Sequence, residues 1–582
     1  MATTANNQPA PAPAAQPDLS DLTDGMRMIV RALKDNGVDT IYGVVGIPVS
    51  GIAFWAQKEG IRYISFRHEQ SAAYAAQISG FLTKKPGVLL TVSGPGFLNG
   101  MTGVANATVN CFPIIHLGGS SDRQLIDLHE GEYEGLDQMT AAIPYTKASL
   151  RIDTVQDIPL AIERAFRIAS SGRPGGVYVD LTTVMLGQRI TKEEAEPLFF
   201  APNDPAPAQI PATESVDRLL AALAAAKHPL IILGKGAAYA QIDAEIKAFI
   251  EKTGIPFLPM SMAKGLLPDD HPQIAASARS YSLENADLYL FIGARINWML
   301  GFGQGAHWNQ KAVFAQIDID PQEIGNTRKI DVPVVGDLAS VFKVIDAELP
   351  KYTIKPADDW LASIQKASAV SNAKFEAKLA APSSPLNYFT TLGVVKRLLE
   401  DYKDIILVNE GANTLDNTRD AIPRYYPRTR VDCGTWAIMG IGMGYSIGAA
   451  VSTGKQVLAI EGDSAFGFSG MEISTICRFK LPVTVVIFNN GGIYKGDTVN
   501  ASGGTDPSPY TLDHDAKYSL LIEAFGGTGY EVDNAADFET ALKEALASKK
   551  PSLINVKLDI HAGKESGHIG YLNPTPLPGI DY

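Results

Sequence analysis

Between Val457 and Asn490 the chain runs an apolar stretch into a carboxylate, passes through a helix-like stretch, and runs a second apolar stretch into an amide. The first is Val457-Leu-Ala-Ile-Glu-Gly462-Asp463-Ser464; the second is Pro482-Val-Thr-Val-Val-Ile-Phe-Asn-Asn490-Gly-Gly492. With a helix over about Gly470–Phe479 between them, this spacing predicts one strand–helix–strand unit. Its strands must then lie parallel, joined by a right-handed crossover. Asp463 and Asn490 would surface side by side at the carboxyl edge of the sheet, where open α/β sheets take their ligands. One carboxylate, one amide oxygen and the Gly492 carbonyl suit Mg²⁺, which fills its other octahedral places with phosphate and water. Taken alone, the segment also reads as an ordinary unit with polar strand ends.

The same alternation recurs along the chain. In the first third, helix-like stretches (Asp24–Asn36, Gln70–Leu82, Ile158–Ser170) alternate with apolar strands (Thr40–Val44, Gly87–Val92, Ile114–Gly118, Gly176–Asp180). That pattern predicts an α/β protein of three doubly wound parallel-sheet domains. The expected divisions are a disordered tail at 1–18, a first domain at 19–196, a central domain at 212–350, a helical connector at 351–386, a third domain at 387–556 and a covering tail at 557–582. A Pro-rich joint separates the first two domains. The first and third share element order without a residue-level repeat.

Composition narrows the function. A chain of 582 residues, 46% hydrophobic and 19% charged, can bury several cores. A net charge of −13 argues against nucleic acid or an anionic membrane as partner. No apolar run reaches membrane-spanning length, and the N-terminus lacks the pattern of a signal peptide. Three scattered cysteines fit neither a disulfide framework nor a zinc site, so a reducing, cytoplasmic setting is expected.

Three further segments carry a resemblance. Tyr42-Gly-Val-Val-Gly-Ile47-Pro48, the turn Arg67-His68-Glu69-Gln70, and Val92-Ser-Gly-Pro-Gly-Phe-Leu-Asn-Gly100 resemble, in this order, the pyrimidine-binding domain of acetolactate-synthase-like thiamin-diphosphate enzymes. Read without it, Glu69 is a helix-terminal carboxylate favoured by the dipole. The Asp463–Asn490 unit resembles that family's metal–diphosphate motif, with Ser464 where a glycine is usual. Gly434 to Gly444 resembles the segment that bends the cofactor. The resemblance implies that Glu69 shares a proton with the aminopyrimidine, that Met439 is the wedge and that the Ala437 carbonyl meets the amino group. It also implies that Asp463, Asn490 and Gly492 hold Mg²⁺. Ile47, Asn413, Ile438, Gly462, Ser464 and Tyr494 would make further cofactor contacts. In this family the two halves of a site meet across a subunit interface, which implies a homodimer or homotetramer.

Other segments resemble the oxalyl-CoA-decarboxylating branch: Gly131-Glu-Tyr133-Glu134-Gly135, Asn489 to Gly496, Glu410 to Arg419, Pro259 to Pro268, and Ser566-Gly567. They imply oxalyl-CoA converted to formyl-CoA and CO₂. Catalytic roles fall to Glu69, Tyr133, Glu134, Tyr494 and Ser566, and coenzyme A contacts to Arg279, Asn372, Arg419 and Ser566. The central domain resembles the family's ADP-binding domain, implying that Arg173, Lys235 and Asp318 bind ADP as an activator. The 2-hydroxyacyl-CoA lyases, with the same cofactor, are the nearest alternative. Two positions depart from the pattern. Gly135 stands where an acidic residue is usual, which implies a wider site and more carboligation with aldehydes. His568 stands where Arg is common.

Overall fold

The computed structural model describes residues 19–200, 207–496 and 504–564. The N-terminal tail and residues 565–582, Ser566 and His568 among them, therefore lie outside the described residues. Three parallel sheets organise the rest. The first contains β1 (Thr40–Gly43), β2 (Arg62–Ser65), β3 (Gly87–Thr91), β4 (Ile114–Ser120), β5 (Ala148–Ile152) and β6 (Gly176–Thr182), in the order β2-β1-β3-β4-β6-β5. The second contains β7 (Pro229–Leu233), β8 (Phe257–Pro259), β9 (Leu288–Ile292), β10 (Val313–Asp318) and β11 (Val332–Val335), in the order β8-β7-β9-β10-β11. The third contains β12 (Ile406–Glu410), β13 (Arg430–Val431), β14 (Val457–Gly462), β15 (Val483–Asn489), β16 (Thr528–Val532) and β17 (Ser552–Lys557), in the order β13-β12-β14-β15-β17-β16. Counted within each sheet, the first and third share one strand order. The element-level similarity read from the sequence is thus a shared topology.

The strands read as unbroken apolar runs because both faces of each sheet are covered. Along the first sheet, Tyr42, Leu89 and Tyr178 point into one core while Ile41, Val88 and Val177 point into another. Where an edge strand keeps half-exposed residues the run disappears. That is why β5 and β16 show no unbroken apolar run in the sequence. The helix expected over 470–479 is also broken up. A short helix, Asp463–Gly467, starts directly at the strand end, followed by a 3-10 turn, Gly470–Glu472, and a helix, Ile473–Arg478. Gly470 allows the break, since a Cβ there would meet the Phe466 ring at 2.8 Å.

Four helices position the site: α1 (Glu69–Thr83), α2 (Pro95–Asn110), α3 (Ala412–Ala421) and α4 (Ile441–Thr453). Helices α1 and α4, from the first and third sheets, pack on one another more extensively than any other pair of elements. Small residues make this possible. A Cβ at Gly444 would meet the Ser71 carbonyl oxygen at 2.6 Å, and one at Gly448 the Ala75 carbonyl oxygen at 2.4 Å. Each is below any real Cβ contact, so the backbones themselves set the spacing. Gly448→Val is expected to force the helices apart and destabilise the fold by about 2 kcal/mol or more. Gly187→Ala, where a Cβ meets nothing within 4 Å, should leave the thermal midpoint in place.

Candidate active site

Gly462 on β14 is in register with Phe488 on β15, so Asp463 and Asn490 leave neighbouring parallel strands at the same edge. The Asp463 carboxylate accepts from Ser464 N at 2.8 Å and from Gly492 N at 3.0 Å. The Asn490 side chain donates to the Tyr494 carbonyl at 2.9 Å. Both residues are buried, and burial pushes the Asp463 carboxyl up to about 6. Its direct hydrogen bonds come from neutral backbone groups, an arrangement that a bound cation would stabilise strongly. Among the described residues no cluster of three or more His, Cys, Asp or Glu side chains could hold a metal. The available set is therefore one carboxylate with amide and carbonyl oxygens, which fits a hard cation that keeps part of its coordination for phosphate and water. Gly462 leaves space here, because a Cβ would meet only Thr414 Oγ1, at 3.4 Å.

Ala437, Ile438 and Met439 lie on a loop pinned at both ends. At its start, Asn110 of α2 donates to the Cys433 carbonyl at 3.1 Å and accepts from Thr435 N at 2.8 Å, while Asn106 donates to the Trp436 carbonyl at 3.2 Å. At its end, Glu410 accepts from Gly440 N and, at 2.5 Å, from Gly442 N. Gly440 needs its φ of 93°, a conformation that side chains rarely adopt. Glu410 and Glu461 are directly paired across β12 and β14 and fully buried. Burial raises the Glu410 carboxyl to about 7 against the pull of its backbone hydrogen bonds, and burial followed by the charge of Glu410 holds Glu461 well above the usual range.

Glu69 opens α1, with His68 as N-cap accepting from Gln70 N at 3.1 Å. Asn99 on α2 donates to the Glu69 carboxylate at 3.0 Å, and Gly96 lets the backbone pass close to its other oxygen. The turn at Gly46-Ile47-Pro48 closes on the same place, since a Cβ at Gly46 would meet Val92 at 2.5 Å. The three segments singled out in the sequence thus converge. The Ile47 side chain stays 75% exposed, as does that of Tyr133. Glu134 has a φ of 55° and accepts from Ser93 Oγ at 2.9 Å, while Gln138 accepts from Gly94 N at 2.5 Å. The Tyr133–Glu134 loop is therefore tied to the turn that leads into α2. A Cβ at Gly135 would sit 3.2 Å from the Glu132 carbonyl oxygen.

Tyr494 is half-buried with a φ of 66°, 6.3 Å from the Tyr510 ring between centroids. Asn413 accepts from Lys564 N at 3.2 Å, which brings Lys564 against the start of α3. Arg279 is largely buried and donates to the Met299 carbonyl at 3.1 Å. Burial lowers its pKa first, and the charge of Arg419 lowers it further, so the two guanidiniums share one region. Arg419 is held by Asp416 at 3.0 Å. Asn372 is exposed on the helix Asp358–Ala380 and bonds to neither arginine.

Arg173, Lys235 and Asp318 all line one cavity of about 850 Å³. Lys235 donates to Asn110 Oδ1 at 2.6 Å, and burial, then the Arg295 charge, lowers it to about 7. Burial raises Asp318 to about 6. Arg173 pairs with Glu323 and, at 3.3 Å, with Asp320. Arg295, missed in the sequence, lines this cavity and donates to the Val109 carbonyl at 2.8 Å and to Thr435 Oγ1 at 3.2 Å. Asn99, Asn106, Asn110 and Glu410 were missed too. Their only signal was a polar side chain inside an otherwise apolar or small-residue stretch.

Mg²⁺ with thiamin diphosphate, each well above its dissociation constant, is expected to raise the melting temperature. One ligand at 100 times that constant stabilises by about 2.7 kcal/mol. Asp463→Ala should abolish the shift while leaving the ligand-free melting temperature nearly unchanged or higher, since it removes a buried carboxylate.

Known proteins resemble this chain along most of its length. Three models match: the N-terminal TPP binding domain of thiamine pyrophosphate enzymes over residues 23–141, their central domain over 216–345, and their C-terminal TPP binding domain over 413–556. An oxalyl-CoA decarboxylase of Escherichia coli (strain K12) is 55% identical over 97% of this chain and 100% of its own length. A 2-hydroxyacyl-CoA lyase of Arabidopsis thaliana is 40% identical over 94% of this chain and 98% of its own length. The human 2-hydroxyacyl-CoA lyase 1 is 38% identical over 94% and 96%. The chain belongs to the thiamine pyrophosphate enzyme family.

Proposed function

We propose that this chain is a carboxy-lyase that converts oxalyl-CoA to formyl-CoA and CO₂ with thiamin diphosphate and Mg²⁺. The observation that carries the reading is its end-to-end likeness to an oxalyl-CoA decarboxylase. The reaction breaks the bond between two carbonyl carbons and delivers a proton to the carbon that keeps the thioester. Bound thiamin diphosphate supplies the sink for the electron pair left by CO₂. Asp463, Asn490 and the Gly492 carbonyl hold the metal and, with Gly462 and Ser464, the diphosphate. The loop at Ala437, Ile438 and Met439 shapes the cofactor, with Ile47 and Asn413 as flanking contacts. Glu69 holds a proton at the pyrimidine. Tyr133, Glu134, Tyr494 and Ser566 orient the departing carboxylate and move the proton. Arg279, Arg419, Asn372 and Ser566 take the coenzyme A moiety, the paired guanidiniums facing its phosphates.

Lys235, Arg173 and Asp318 make the 850 Å³ cavity an ADP site, with cations for phosphate and the carboxyl for a ribose hydroxyl, and ADP acts as an activator. Within one chain, Glu69 is held by Asn99 of its own domain and Asp463 by Ser464 and Gly492 of its own. Exposed Ile47, Tyr133, Phe468 and Met471 add an uncovered apolar surface. Both facts support a homodimer or homotetramer whose second copy completes the site. Three unpaired cysteines support a reducing, cytoplasmic location, and no helix among the described residues is long and apolar enough to cross a membrane. Gly135 widens the space beside Glu134, which supports carboligation of the formyl group with aldehydes as a side activity.

Release of CO₂ and formyl-CoA from oxalyl-CoA is expected to require both thiamin diphosphate and Mg²⁺. Turnover of a 2-hydroxyacyl-CoA to an aldehyde at a higher kcat/KM would favour the lyase reading instead. Glu69→Ala should lower kcat by about 10² or more. ADP should raise the melting temperature of the parent chain and not that of Lys235→Ala. Gly135→Glu should lower the ratio of ligation to decarboxylation.

A further inference from the structure

The backbone leading into Glu69 leaves the first sheet at Ser65 and enters α1 at Glu69. Phe66 N still donates to Gly43 O across the sheet at 2.9 Å, but Arg67 and His68 lie beyond both strand and helix, so their N–H groups need acceptors from elsewhere. One side chain of the third domain supplies them. The Glu472 carboxylate accepts from Arg67 N at 3.0 Å and from His68 N at 3.0 Å, both at the same oxygen, and its other oxygen accepts from Thr475 Oγ1 at 2.8 Å. Two more side chains of the same short stretch complete the grip: the Arg478 guanidinium donates to the Ser65 carbonyl, and Thr475 Oγ1 lies 3.4 Å from it. Glu472, Thr475 and Arg478 recur at every third residue and so share one face of their helical segment.

We infer that Glu472 is a positioning residue for the reaction: it fixes from the third domain the turn that presents Glu69. The inference deepens the reading above and rests on Glu69 as the pyrimidine partner. Glu69 then has two anchors, Asn99 on its carboxylate and Glu472 on the backbone that precedes it. Glu472 is 1% exposed, and burial raises its carboxyl to about 7. In so dry a place each of its hydrogen bonds acts at interior strength. Among the described residues the Glu472 carboxylate bonds to Arg67, His68 and Thr475.

Replacement by Gln keeps the geometry, with the amide oxygen accepting from both N–H groups and the amide nitrogen donating to Thr475. Replacement by Ala removes the grip, and Asp is one methylene too short to reach both groups. Hydrogen–deuterium exchange on the cofactor-free chain reads the strap directly. Over residues 62–72, exchange should accelerate in Glu472→Ala and Glu472→Asp and stay near the parent rate in Glu472→Gln. With cofactor loaded, Ala and Asp should lower kcat about 100-fold, the scale of a misplacement of about 1 Å, with KM for oxalyl-CoA and the affinity for Mg²⁺ and thiamin diphosphate within about threefold of the parent. The Gln variant should recover most of kcat. If Ala does not fold, Asp carries the test. Unchanged exchange over 62–72, or a parent-like kcat in Asp, overturns the inference, as does a loss in Gln equal to that in Ala. Full turnover in Glu69→Ala would sink the functional reading instead, while leaving the exchange result standing.

Discussion

Helices α1 and α4 touch backbone to backbone, and the rest of the site depends on that contact. Each begins at or beside a candidate site residue: α1 opens with Glu69, and α4 starts two residues after Met439. At Gly444 against Ser71 and Gly448 against Ala75 backbone meets backbone, and beside these points Tyr74 and Tyr445 pack edge to face with ring centroids 6.2 Å apart. Close packing of this kind is rigid and propagates strain instead of absorbing it. The two helix starts are therefore held in one frame although they belong to different sheets.

Polar groups refine what the small residues set. Asn106 and Asn110 reach from α2 to the loop that carries Met439, Glu410 closes that loop from the third sheet, and Glu472 reaches back to the turn before Glu69. The Met439 loop and the turn before Glu69 are thus each fastened in part by side chains of another domain. Asn110 Oδ1 accepts both from Lys235 in the central cavity and from Thr435 N, so one amide joins the cavity wall to the loop that carries Met439.

How much of this was legible in the sequence follows from the range of the forces involved. Asp463 and Asn490 could be placed because a strand–helix–strand unit admits one handedness, and that rule delivers both to one edge. The alternation of β1, β3, β4 and β6 was legible for the same reason, while β5 and β16 were hidden by their half-exposed faces. Glu69 was found only through its likeness to a known family, since a carboxylate at a helix start is common. Glu472 and the Glu410–Glu461 pair were not legible, because their partners lie across a domain boundary or across a strand register that no local pattern encodes. Arg279 and Arg419 were named from resemblance, and the fold brings them together. Asn372 was named in the same way, and the fold leaves it exposed on the helix Asp358–Ala380, bonded to neither.

The buried carboxyls also change how the chain behaves as a polyelectrolyte. The formal charge of −13 counts every Asp and Glu as ionised. Burial holds Glu410, Glu461 and Glu472 above the ordinary carboxylate range, with Asp180 and Asp318 raised as well. In the folded, ligand-free chain these carboxyls hold protons that they would give up on unfolding. The contribution of Glu410 and Glu472, each raised to about 7, is therefore greatest in acid and declines as the solution is made alkaline from the ordinary carboxylate range through about 7. Unfolding at neutral pH would release protons from these two side chains.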